Sequence, residues 1–400
     1  MNEQAVSSAP GLLEFPLFEG GPFHRLLQRV RLGQEGRSLV ARRIVLIVLV
    51  IWAPLVVLAS AQGLALGPTR LESLLMDFAA NVRFLVTVPA FLLAEGMCGA
   101  RFLATVRQLL SAGLIAENSR PEFESNVRST VELSRSGKAE AILLGLAYLH
   151  SAFVLAAFLD YPVSTWRMPG VEGHRAISMA GWWYFLAAFP FYSFLLARWM
   201  WRLGIWWRLL WQVSRLELRL SPAHPDGAAG LGFLSTSLSG FSLFVFGVTT
   251  MAAAGLADLV VYEGHSPLDY QWYVVVLLLF LLILIAGPLL FFMPRLSEAK
   301  DEALLQYGGF GSRQVQDLER KWLGEKKRGG SEDTGIGQQD FSTVADFGAL
   351  VAHVRETKVI PIELSDVIQL LVIALLPFLP VFAVQIPIGE MLSLLLKTLG

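Results

Sequence analysis

The 400-residue chain predicts an all-α polytopic membrane protein with about seven transmembrane helices. Three observations carry that prediction. The first is seven long apolar runs, at 44–66, 79–99, 140–160, 179–201, 233–257, 272–294 and 366–385. An α-helix needs about 20 residues to cross a hydrocarbon core of about 30 Å. The second is composition: 54% hydrophobic against 16% charged residues is too much apolar surface for one soluble core. The third is charge placement, with 27 of the 32 Lys and Arg on one set of alternate loops. The positive-inside rule then puts the N-terminus in the cytoplasm and, with an odd number of spans, the C-terminus outside.

The net charge of −1 averages a basic cytoplasmic face with an acidic outer one that carries Asp77, Asp258, Glu263 and Asp269. The single Cys98 excludes an intrachain disulfide framework and a cysteine-based metal cluster. No cleavable leader precedes the first run, so the first helix is expected to be an uncleaved anchor in a bacterial inner membrane.

Four regions follow along the chain. Residues 1–43 form a cytoplasmic segment in which 23–32 mix apolar and basic residues at helical spacing, suited to the anionic leaflet. Residues 44–294 hold six spans and, at 100–139, a cytoplasmic helical hairpin whose second arm starts at Pro121. Residues 295–365 form a cytoplasmic loop with two short helices and a polar tether at 327–339. Residues 366–400 supply the last span and, after Pro387, a short outer helix. The second span is the least apolar, and contains Pro89 between Arg83 and Glu95. The fourth runs on as a long helix in which Trp199, Trp201, Arg202, Trp206, Trp207, Arg208 and Trp211 have the composition of interfacial anchors. No internal sequence repeat is visible, so the inverted-repeat pattern of many secondary transporters is not expected.

The sharpest motif is Ser221-Pro222-Ala223-His224-Pro225-Asp226-Gly227-Ala228-Ala229-Gly230-Leu231-Gly232, just before the fifth span. Its prolines stop a helix and its glycines permit positive φ. A helix then opens, whose free N–H groups can receive an anion. Gly227, Gly230 and Gly232 are candidate anion contacts, and His224 with Asp226 can accept a proton. The same loop also reads as a rigid elbow in which Asp226 caps the helix. The run His-Pro-Asp-x-x-x-Gly-Leu-Gly-Phe-Leu resembles a large group of uncharacterised bacterial multi-pass inner-membrane proteins. So do Trp199-x-Trp201-Arg202, Trp207-Arg208-x-x-Trp211 and Asp340-Phe341-Ser342-x-x-Ala345-Asp346. The resemblance covers most of the chain and implies the multi-pass architecture without an activity. Ala229 departs from it, standing where a further glycine is expected.

The fifth span is rich in small and hydroxyl residues. On an α-helix Ser235, Ser239 and Ser242 share a face that Thr249 continues. Such a stripe can line a hydrated pore or let helices pack closely. Ionisable groups near membrane depth are Arg83, Glu95, Glu140, His150, Arg198 and Asp258. Each needs a partner or water. Arg83 and Arg198 are placed to snorkel; Glu95 with His150 can form a proton relay or gate, or each can be structural. Asp340, Asp346 and His353 read as a polar face of the last cytoplasmic helix.

No phosphate-binding P-loop, zinc-protease or serine-hydrolase motif is present, and no catalytic residue, metal or cofactor is assigned. The leading expectation is a homo-oligomeric ion channel or pore-type transporter with the fifth helix lining the path. Its partners would be the lipid bilayer, further copies of the chain and a small ion, with no nucleic acid. An embedded enzyme acting on lipid or isoprenoid phosphates, and a non-catalytic scaffold or sensor, remain as alternatives.

Overall fold

The computed structural model describes residues 37–160, 163–170, 176–323 and 338–383, with Pro22 and Arg25. The expected helices at 23–32 and 388–399 and most of the tether lie outside these residues, as does the side chain of Asp340. Among the described residues there are helices and no strands; an isolated antiparallel bridge joins Ile115 to Leu218. Seven helices are long and apolar enough to cross a membrane. The chain is an all-α multi-pass membrane protein.

The spans keep their order but not their ends. Hydropathy marks the apolar stretch, whereas the helix continues wherever an amphipathic face still packs. The second span is Phe78–Ser111, so the expected hairpin's first arm is its own continuation, and the second arm is Arg120–Ser134. The fourth is Met179–Arg215; the sixth begins at Pro267 and continues through Met293–Leu323, against which Gln338–Glu356 packs. The first, third, fifth and seventh spans are Val40–Ala61, Gly137–Asp160, Gly232–Tyr262 and Leu364–Phe382. The face bearing the loops after spans two, four and six is called the hairpin face, the opposite one the far face.

The second and fourth spans are built alike, which the sequence pattern did not reveal. Each starts at the far face with a side-chain cap, Asp77 accepting from the Ala80 amide and Ser178 from the Gly181 amide. Each continues as one short α-turn, then a five-residue π-turn, Arg83–Thr87 and Tyr184–Ala188. Pro89 and Pro190 follow, at the first turn of the long helix. A proline inside a helix donates no N–H and its ring presses on the carbonyl four residues back, which a widened turn accommodates. The offset between the two spans is 101 residues, the separation of Arg83 and Tyr184. The first and third spans precede them at matching distances. The match relates two helical hairpins running in the same direction, a parallel relation rather than an inverted one.

The fourth span is central and the third is peripheral, exposing Ile142, Leu149 and Phe153 outward. The fifth packs closely on the second: a side chain at Gly247 would come within 2.9 Å of the Phe91 ring, and one at Gly240 within 3.3 Å of Arg101. Small residues let these backbones approach. The Cys98 thiol, buried here, donates to the Gly240 carbonyl at 2.7 Å.

Candidate functional site

The polar interior lies along the second and fourth spans, in two layers. At the far face, the second to fifth spans enclose a cavity of about 520 Å³. Asp77 caps the second span and also accepts from Arg167 at 2.7 Å and from the Trp166 indole at 2.8 Å. Burial raises the Asp77 carboxyl, but Arg167, the indole and the Ala80 amide outweigh it and hold the group below its ordinary value. Asp258, from the end of the fifth span, accepts from the Phe78 and Ala79 amides at 3.1 and 3.0 Å. Two carboxylates thus satisfy the free N–H groups that open the second span.

Arg83 sits deeper, at the start of the first π-turn. Its Nη1 donates to the Tyr184 hydroxyl at the start of the second. Its guanidinium carbon lies 5.7, 5.1 and 5.3 Å from the ring centroids of Tyr184, Phe189 and Tyr192, within cation–π range. Its Nε is buried without a hydrogen bond, and no carboxylate lies within 4.0 Å among the described residues. Arg83 therefore faces inward, and does not snorkel as expected from its position near the span's end.

The second layer lies twelve residues on, about 18 Å along an α-helix. Glu95 accepts from Arg43 at 3.1 Å and from Arg198 at 2.7 Å, and Arg202 lies 2.7 Å away. Glu140 stands 3.7 Å from Arg198. Three cations from the first and fourth spans thus meet two carboxylates from the second and third, with Arg198, Arg202 and Glu140 buried and Arg43 and Glu95 largely so. Arg198, like Arg83, turns inward. An aromatic stack separates the layers: Tyr192 faces Phe91, Phe91 faces Phe244, and Phe244 faces Trp199, at centroid distances of 6.3, 5.5 and 5.0 Å. Trp199 then covers Arg202.

The structure separates several expected combinations. Glu95 binds the arginines, whereas His150 pairs with the Ser193 hydroxyl at 3.1 Å, so the two do not form a relay. Trp199 and Trp206 are buried among helices, with Trp206 stacked on Phe102, so they are not lipid-facing anchors; nor is Arg202. Trp201 and Trp207 are half-buried, and Trp207 donates to the Leu284 carbonyl of the sixth span. Arg208 reaches Ser129 of the hairpin helix. Trp211, 46% exposed, alone keeps the outward disposition of an interfacial residue.

The hydroxyl stripe loses its shared face because Gly232–Phe241 is a 3-10 helix, with three residues per turn instead of 3.6. Ser235 is buried, donating to Asp366 of the seventh span and accepting from the Glu363 amide. Ser239 donates to the Thr236 carbonyl, and buried Thr249 to that of Val245. Ser242 is half-buried.

At the hairpin face, Asp226 accepts from the amides of Ala228, Gly230 and Gly232 at 2.9, 3.1 and 2.9 Å. Burial raises this carboxyl, but those amides and His224 lower it further, and the net direction is down. Of the N–H groups expected to receive an anion, those of Gly230 and Gly232 are already bonded to Asp226 and that of Gly227 to the His224 carbonyl. His224 lies 2.9 Å from Asp226 and its carbonyl contacts His353. The Lys358 backbone amide donates to the Gly227 carbonyl, closing the elbow. Ala229 has φ 55°, a left-handed conformation that explains why glycine suits its position. Asp346 is exposed. Among the described residues no three His, Cys, Asp or Glu side chains gather as a metal site.

No family model matches the chain, and no curated protein or solved structure is similar to it at a significant level.

Proposed function

We propose that the chain is a channel or pore-type transporter of a bacterial inner membrane, with its N-terminus cytoplasmic and its C-terminus outside. In this reading the path runs within one chain, between the second and fourth spans, and not along the fifth. The observation that carries it is the stacking of two charged layers across an aromatic stretch. Ionisable groups at membrane depth are costly and mark ion or substrate pathways. Paired π-turns at the boundary of the outer layer are a frequent accompaniment of functional sites. The far-face cavity is the loading site, and Tyr192, Phe91, Phe244 and Trp199 form a closed gate. A homo-oligomer is compatible with this path but not required by it.

The test is solute flux through purified protein in sealed liposomes, over a panel of inorganic and organic ions. Flux that Arg83→Gln changes and Ser239→Leu leaves alone supports the path. Flux altered by Ser239→Leu alone returns it to the fifth helix.

The scaffold reading has one observation of its own. A groove of about 400 Å³ lies between Met293–Leu323 and Gln338–Glu356, walled by Tyr307, Phe310, Val344, Phe347 and Val351. A soluble partner that binds only when this groove is intact, with no flux in any salt, would favour it. The enzyme reading loses support because its expected phosphate contacts are already bonded within the elbow, Gly230 and Gly232 to Asp226 and Gly227 to the His224 carbonyl.

A further inference from the structure

The far-face cavity has a charge balance and a wall chemistry that together specify a ligand class. Each acidic group at the cavity has a partner: Asp77 has Arg167, Asp258 has two backbone amides, and Glu263 lies 3.3 Å from His265. Arg83, at the bottom, hydrogen-bonds to the Tyr184 hydroxyl and lies against three aromatic faces, and Asp77 acts on it only from beyond ion-pair distance. Its Nε–H is buried and bonded to nothing. A buried donor of this kind is costly to leave unmade. Arg70 lines the same cavity and is exposed, a second cation placed to draw an anion inward. One wall is apolar and comes from the peripheral third span: Val154, Ala157 and Phe158. The volume falls within the usual range of about 300–1,000 Å³ for small-molecule sites.

Resting on the reading of this cavity as the loading site, we propose that it binds an amphiphile with a compact anionic head. The head, a carboxylate or phosphate monoester, accepts from the Arg83 guanidinium. The alkyl portion lies on Val154, Ala157 and Phe158.

The test is equilibrium binding of radiolabelled decanoate to the full chain in nanodiscs of zwitterionic lipid, with empty discs subtracted. One saturable site per chain is expected, weakened about tenfold or more by Arg83→Gln, since a charge-assisted hydrogen bond is lost. Ala157→Trp, which fills the apolar wall and leaves Arg83 in place, should weaken it as well. This second variant keeps the test decisive if Arg83→Gln does not fold. Decyl phosphate should compete; decyltrimethylammonium should not. Absence of a saturable component overturns the proposal, as does unchanged binding in the folded variants. Acetate or inorganic phosphate competing as well as decanoate would identify a plain anion site and also overturn it. Binding is read without flux, so binding in a protein that transports nothing would sink the transport reading alone, and flux without decanoate binding would sink the ligand class alone.

Discussion

At the scale of single residues, the account rests on charges that the protein has removed from water. Glu95 is the sharpest case, one carboxylate among three arginines. Removing one partner from a buried ionic cluster typically costs about 3–5 kcal/mol, because the remaining charges stay desolvated. Glu95→Gln should therefore lower the thermal stability of the detergent-solubilised protein by an amount of that order, and His150→Ala by clearly less. Asp77 and Asp226 give a pH dependence. Both have folded-state pKa values below the ordinary 3.8, so their contribution to stability is present above that value. It is lost as pH falls from 3.8 through the lower folded values. Unfolding curves should be insensitive to these groups near neutrality and shift sharply in acid, and Asp226→Asn should reduce the acid shift. An equal acid shift in that variant would remove the elbow from the explanation. The sequence showed Arg83, Glu95 and Asp258 as residues needing a partner or water, but not which partners. Asp258 meets the amides of Phe78 and Ala79 across 180 and 179 positions, and no local pattern encodes such a pairing.

At the scale of elements, hydropathy located all seven spans because each must cover the bilayer with apolar side chains, whatever it packs against. It missed their ends for the converse reason. Met293–Leu323 is amphipathic, as is the end of Met179–Arg215 whose continuation was expected, and amphipathic helices continue past the membrane when a neighbour takes the apolar face. The hydroxyl stripe was misjudged through its period: Ser235 and Ser239 share a face only if the turn holds 3.6 residues, and Gly232–Phe241 does not. The glycines of the fifth span were legible as packing residues and act as such. Gly247→Val should disrupt the contact with Phe91 and cost about 1–3 kcal/mol, seen as a lower melting temperature. Ser239→Leu, at a half-buried position whose hydroxyl bonds only its own helix, should be close to neutral in the same measurement. Paired π-turns were beyond the sequence pattern, since Pro89 and Pro190 predict a kink without specifying the turn that relieves it.

At the scale of the whole molecule, two similar hairpins place two π-turned spans side by side, with charge at both ends of their contact and aromatic rings between. In the proposed function the aromatic stretch is the barrier and the charged layers are the stations on either side. Phe91 is the ring best placed to test it, because it contacts Tyr192 from the fourth span and Phe244 from the fifth. The decisive measurement is conductance across planar bilayers containing the Phe91→Ala protein beside wild type. The account predicts a persistent leak in the variant that a further Arg83→Gln substitution diminishes. Folded Phe91→Ala protein as silent as wild type in every salt, at either polarity, would contradict it.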